Sequence, residues 1–205
     1  MLAQVTPRYP PDISGVGDYS ALLSACFREK GAPFATLVTS VAGDHTAQFE
    51  GVHYLAPQDA EALANGLDQY DRVLLHFSGY GYARRGLCHW LVDGLAQWKA
   101  GAPERRLVTV FHEVYATGPI WRSSFWTAWS QKRIAKDLAE LSDARFVTSA
   151  GGRDQLARLA PDLKVELLPV FSNMGEPDAP PPLSDRSSRA IVFGGRGRRA
   201  KVYAQ

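Results

Sequence analysis

"TPRYPPDISGVGDYS", residues 6–20, decides the fold of this chain. It reads as the end of a short strand, a loop stiffened by prolines, and two glycines that open a helix. Upstream, "AQVT" (3–6) supplies the strand. Downstream, Tyr19, Leu22, Leu23, Cys26 and Phe27 recur at i, i+3, i+4, i+7 and i+8, which predicts one apolar helical face. Gly31 provides the stop. A strand, a glycine-rich loop and a helix start together present backbone N–H groups and the positive end of a helix dipole to an anion. Gly15 and Gly17 permit close approach and positive φ. A tight turn without a ligand is the alternative reading of the same residues.

Working outward, β-branched apolar runs alternate with helical patterns. Strands are expected at "ATLVTS" (35–40), "GVHYLA" (51–56), "RVLLHF" (72–77), "RLVTVFHE" (106–113), "ARFVTS" (144–149) and "KVELLP" (164–169). Helices are expected over 58–68, 86–99, about 122–141 and 152–160. Such alternation predicts an α/β fold, a Rossmann-like, doubly wound parallel sheet with helices on both faces. No repeat of solenoid period is present.

At 205 residues, with 45% hydrophobic and 21% charged, the composition is that of a water-soluble globular chain. The net charge of +2 gives no case for nucleic acid as a partner. Cys26 and Cys88 both fall in predicted helices, so no disulfide framework is implied and a reducing, cytoplasmic setting is expected. No run approaches the apolar length of a membrane span, and the N-terminus lacks a signal-peptide pattern.

Composition changes after residue 170. "FSNMGEPDAPPPLSDRSSR" (171–189) holds three consecutive prolines and reads as a linker. Residues 190–205, "AIVFGGRGRRAKVYAQ", then read as a strand, a glycine turn and a helix start. The expected organisation is one domain over 1–170, a linker over 171–189, and over 190–205 the stub of a second α/β domain whose remainder is missing. Gly195, Gly197 and Ala200 match G-x-G-x-x-A, with Arg196, Arg198, Arg199 and Lys201 interleaved, a setting suited to a diphosphate.

Three further clusters carry candidate chemistry. His112 and Glu113 leave a buried strand at its C-terminal end, where open α/β sheets bind ligands. An imidazole there can hydrogen-bond a substrate hydroxyl or take its proton, or it can simply cap the sheet. Tyr80, Tyr82, Arg84 and Arg85 follow another strand end; they can line an acceptor pocket or form an ordinary basic rim. Trp121, Phe125 and Trp129 recur at i, i+4 and i+8. That stripe is either core or a surface for lipid head groups.

Several chemistries are disfavoured. H-E-x-x-H fails at Ala116, so a metal site is not expected. G-x-S-x-G fails around Ser78, where His76 and Tyr80 replace the glycines. A dinucleotide fingerprint fails at Ser20, lies some distance from its strand, and finds no acid at the end of "ATLVTS".

Together these stretches resemble the N-terminal half of a GT-B glycosyltransferase of the family 4 type. "TPRYPPDISGVGDY" looks like the family's glycine-rich loop, "VFHE" like its acceptor-side histidine strand, and "ARFVTSAGGRDQL" like its strand ending in Ser with the following helix. "LLPVFSNMGEP" looks like the crossing between domains, and "IVFGGRGRR" like the start of the donor domain.

The resemblance implies a metal-independent transfer, with retention, from a nucleotide-diphosphate sugar to a glycan or lipid-linked acceptor. No other cofactor is implied. It places the N–H groups of Gly15, Val16 and Gly17 near the donor diphosphate, with Arg196 and Lys201 from the donor domain. His112 would stand by the reacting sugar, donating to it or orienting it. Glu113, Tyr80, Tyr82 and Arg84 become acceptor-side candidates. The enzyme would be cytoplasmic, with peripheral contact at the inner face of the membrane as one reading of the aromatic stripe. The competing expectation is a non-catalytic α/β module that binds a phosphorylated ligand or a protein.

Overall fold

A computed structural model describes residues 1–32, 34–39, 49–117, 123–173, 175, 179 and 182–185. The chain divides into two units, Met1–Asn173 and Met174–Gln205. In the second, the described structure is a 3-10 turn at Leu183–Asp185. The "AIVFGGRGRR" stretch, with Arg196 and Lys201, lies outside the described residues.

The first unit runs β1 (Leu2–Thr6), α1 (Gly15–Glu29), β2 (Ala35–Val38), β3 (Val52–Tyr54), α2 (Ala60–Leu67) and β4 (Arg72–Phe77). A short α3 (Gly79–Tyr82) and a 3-10 turn (Arg84–Gly86) follow. Then come α4 (His89–Ala100), β5 (Arg106–Phe111), α5 (Ser123–Leu141), β6 (Ala144–Val147), α6 (Ala150–Leu159) and β7 (Glu166–Leu167). All seven strands are parallel, in the order β3-β2-β1-β4-β5-β6-β7. The chain therefore winds outward in one direction from β1 and in the other from β4. That reversal creates a crevice at the carboxyl ends of the strands. The predicted Rossmann-like sheet is present; β1 gains Leu2, β4 has the expected bounds, and the other strands lose one or two residues at one end or at both.

The two faces of the sheet differ in chemistry. One carries Ala3, Val5, Leu37, Val73, Leu75, Phe77, Leu107 and Phe111, packed under Leu63, Leu67, Leu91, Leu95, Ile134 and Leu138 of α2, α4 and α5. Fully burying a side chain of this size stabilises by roughly 1.5–3 kcal/mol, so this layer is the main source of stability. The other face, under α1, is polar: Gln4, Thr6, Thr36 and His76 are all buried there.

That polarity overturns the expected packing of α1. Tyr19 is buried as predicted, but Leu22 is exposed, Cys26 is exposed, and Leu23 and Phe27 are only half-buried. The helix instead lays Gly17, Ser20 and Ser24 against the sheet. Small residues let the helix approach, and their polar groups satisfy the strand side chains. Gln4 Nε2 donates to the Ser20 carbonyl (3.2 Å), and Ser20 Oγ lies 3.1 Å from Thr6 Oγ1. An apolar side chain in place of Ser20 would remove the hydroxyl beside Thr6; Gln4 is held further by Thr36 Oγ1 and His76, and Thr6 by the Arg8 carbonyl. Cys88 likewise falls not inside a helix but at the cap of α4, where burial pushes its thiol up to about 12.

Candidate functional site

The carboxyl ends of β4, β5 and β6 are tied together beyond their last ladder pairs. His112 N–H donates to the Phe77 carbonyl (2.9 Å), and Thr148 N–H to that of Phe111 (3.2 Å). The strand ends at Phe111, so His112 and Glu113 leave it at the rim rather than within it. The rim is rigid because each exit is bonded to its neighbour.

His112 is the centre of this rim. Its Nε2 lies 3.3 Å from Nδ1 of His76, whose own Nε2 lies 3.1 Å from Oε1 of Gln4. The Tyr19 ring stands edge-on to both imidazoles, with centroids 5.1 Å from His112 and 5.6 Å from His76. Phe171 stacks on Tyr19 at 4.4 Å. Burial lowers the pKa of His112 to about 4; burial, and then the charge of His112, lower that of His76 to about 3. Both rings are neutral at physiological pH.

His112 borders a cavity of about 380 Å³ between the ends of β4, β5 and β6. Glu113 lines it and accepts a hydrogen bond from Ser78 Oγ (2.9 Å). Tyr80, half exposed, lines it too. The start of α6 forms a third wall through Ser149, Gly151 and Gly152, with Ser149 Oγ capping the Gly152 N–H (3.1 Å). Phe77 and Val114 supply apolar surface. A concave site with a few convergent polar groups on an apolar base is how small-molecule pockets are built.

Gln131 of α5 was not legible as a site residue, yet it holds the cavity together. It is 4% exposed. Its Oε1 accepts from the Ala116 N–H (2.8 Å), and its Nε2 donates to the Arg85 carbonyl (2.7 Å) and lies 3.3 Å from the Tyr80 hydroxyl. Arg85 adopts a left-handed backbone (φ 62°), which turns that carbonyl toward α5. No local motif marks Gln131, because all three of these partners are distant in sequence.

The glycine-rich loop stands at the same edge of the sheet but differs from expectation. Gly15 and Gly17 are helical, not left-handed. Gly17 does not offer its N–H, which the N-cap Ser14 Oγ already accepts (3.2 Å). It is a glycine because a Cβ there would stand 3.0 Å from the Arg8 carbonyl oxygen. Gly15 is exposed with open space around it, and its carbonyl accepts from Asn173 Nδ2 (3.1 Å). The Gly15 and Val16 N–H groups at the first turn have no partner among the described residues.

Two acceptor-side candidates do not reach the cavity. Tyr82 is fully buried, and its hydroxyl donates to the Val5 and His76 carbonyls at 3.2 and 2.9 Å. It is a core residue that ties α3 to β1 and β4, because a buried phenol requires acceptors. Arg84 is exposed on the 3-10 turn and does not line the cavity. In the aromatic stripe, Trp129 is 74% exposed, so it is not core. Trp121 and the side chain of Phe125 lie outside the described residues. No helix among the described residues is long and apolar enough to cross a membrane. Among them, too, no three His, Cys, Asp or Glu side chains are grouped to hold a metal.

No protein-family model and no curated protein matches the sequence. Solved structures do resemble the fold. One is an alpha-glucosyltransferase in complex with UDP and a 13-mer DNA containing an HMU base, at 13% identity and TM-score 0.55 over 81% of this chain and 41% of that one. Another is an alpha-glucosyltransferase in complex with UDP, at 10% identity and TM-score 0.55 over 81% of this chain and 42% of that one. The chain thus spans about two-fifths of the length of these neighbours, and it shares with that portion a glycosyltransferase-like α/β fold.

Proposed function

We propose that this chain is the acceptor-side unit of a glycosyltransferase that uses a nucleotide-diphosphate sugar with retention, and that the acceptor is a glycan or lipid-linked sugar. One observation carries the reading. A neutral imidazole, His112, borders a cavity at the carboxyl edge of a sheet whose fold matches part of a sugar transferase solved with UDP.

In this reading His112 engages a hydroxyl at the reacting sugar, and Glu113 and Tyr80 contact acceptor hydroxyls in the cavity. The free N–H groups of Gly15 and Val16 meet the donor diphosphate at the positive end of α1. Each well-aimed donor is worth about 3–4 kcal/mol to a leaving group that gains charge. Arg196 and Lys201 are assigned to the same diphosphate from the donor side, with no metal and no further cofactor. A cytoplasmic setting and peripheral membrane contact through Trp129 belong to the same proposal.

The test is a titration of the chain with UDP-, GDP- and dTDP-linked sugars and with oligosaccharides, followed by amide and imidazole NMR. His112, Gly15 and Val16 resonances should move with at least one of these, and the His112→Ala variant should lose the response while staying folded. In the enzyme, the same substitution should lower sugar transfer by about 10²-fold or more. Resonances at His112 that ignore every compound would overturn the reading and leave a scaffolding module.

A further inference from the structure

We propose that Gln4 and His76 form a buried positioning relay that locks His112 as its Nε2–H tautomer, so that Nδ1 is the bare nitrogen this residue offers a ligand. The Ser20 carbonyl can only accept, so the Gln4 atom 3.2 Å from it is the amide nitrogen, which also lies 2.7 Å from Thr36 Oγ1. A flipped amide would set two oxygens against each other. Oε1 of Gln4 therefore faces His76 Nε2 at 3.1 Å, and since an amide oxygen only accepts, that ring nitrogen carries the proton. His76 is fully buried and neutral, which leaves its Nδ1 as a lone pair. The hydrogen bond at 3.3 Å must then run from His112 Nε2–H to His76 Nδ1. Nδ1 of His112 has no partner among the described residues.

The relay defines the chemistry at the rim. A neutral imidazole with a bare Nδ1 accepts a hydrogen bond from a hydroxyl and repels an anionic phosphate oxygen. His112 thus selects a sugar hydroxyl rather than the diphosphate, and it accepts from that hydroxyl rather than donating to it. Only the identity of this hydroxyl rests on the glycosyltransferase reading; the tautomer is a property of the unliganded chain. His76 and Gln4 are positioning residues, since neither lines the cavity.

The test is a long-range ¹H–¹⁵N spectrum of the full chain with ¹⁵N-labelled histidine at neutral pH, with His112 assigned by its loss in His112→Ala. The expected pattern is a pyridine-like Nδ1 and a pyrrole-like Nε2. A pyrrole-like Nδ1 overturns the relay. His76→Phe removes the acceptor, and the folded variant should show His112 as a tautomer mixture. A His112 that stays wholly Nε2–H in that variant also overturns it. The wild-type spectrum decides even if the variant does not fold. A chain that shows the expected tautomer but responds to no sugar supports the relay and sinks the functional reading.

Discussion

Tyr19 stands edge-on to His112, at 75° and 5.1 Å between ring centroids, and also stacks on Phe171 at 4.4 Å. One side chain of α1 thereby connects the helix behind the glycine loop, the rim of β5 and the exit from β7. It is 4% exposed. The glycine loop and the histidine rim share an edge because β1 and β5 run parallel, and the Tyr19 ring makes the contact between α1 and that rim.

Replacing Tyr19 with Ala should cost about 3–5 kcal/mol, the usual penalty for removing a buried aromatic ring. Tyr19→Phe keeps every ring contact and should stay within about 1 kcal/mol of the parent. Urea unfolding of the two variants checks this. Equal losses would mean that the hydroxyl, not the ring, carries the contribution.

The two depressed histidines set the acid limb of stability. Above pH 6.5 both rings are neutral in the folded and the unfolded chain, so neither affects the balance. Below it the unfolded chain takes up protons that the folded chain refuses, until the folded values of about 4 for His112 and about 3 for His76 are reached. Stability should therefore fall with decreasing pH across that window, by about 1.4 kcal/mol per pH unit for each ring. The Asp71 carboxyl is held low by the hydrogen bond from the N-terminal ammonium. Urea midpoints collected from neutral pH downward should flatten in His76→Gln.

Gly15 and Gly17 should respond in opposite ways to alanine. At Gly15 a Cβ meets nothing among the described residues, and the backbone is helical, so Gly15→Ala should be neutral or stabilise by up to about 1 kcal/mol. At Gly17 the Cβ meets the Arg8 carbonyl at 3.0 Å, so Gly17→Ala should cost about 1–3 kcal/mol. Thermal melts distinguish the two. A destabilised Gly15→Ala would show that this turn is more crowded than its surroundings indicate.

Gln131→Leu keeps the volume but strands the Ala116 N–H and the Arg85 carbonyl. The loss should be about 1–3 kcal/mol for each group that stays buried. Hydrogen exchange at Ala116 should accelerate in the variant. Unchanged exchange there would show that water replaces the side chain without consequence.

By itself the sequence determined the parts that depend on local pattern. Runs such as "RVLLHF" became β4 with the expected bounds, and β-α alternation led to a parallel sheet, because a strand covered by helices on both faces is mostly apolar, His76 being the polar exception in β4. The rim position of His112 and Glu113 was legible from the same pattern: a polar pair that ends an apolar strand falls at the carboxyl edge of the sheet. Tertiary structure alone decided the rest. Which face of α1 is buried followed the polar strand face of Gln4 and Thr6, which bond to Ser20, and not the apolar spacing of Leu22, Leu23, Cys26 and Phe27. Tyr82 went into the core because two carbonyls met its hydroxyl there, and Gln131 joined the cavity because folding brought Arg85 and Ala116 to it. Hydrogen-bond satisfaction among residues far apart in sequence has no local period, so only the packed chain reveals it.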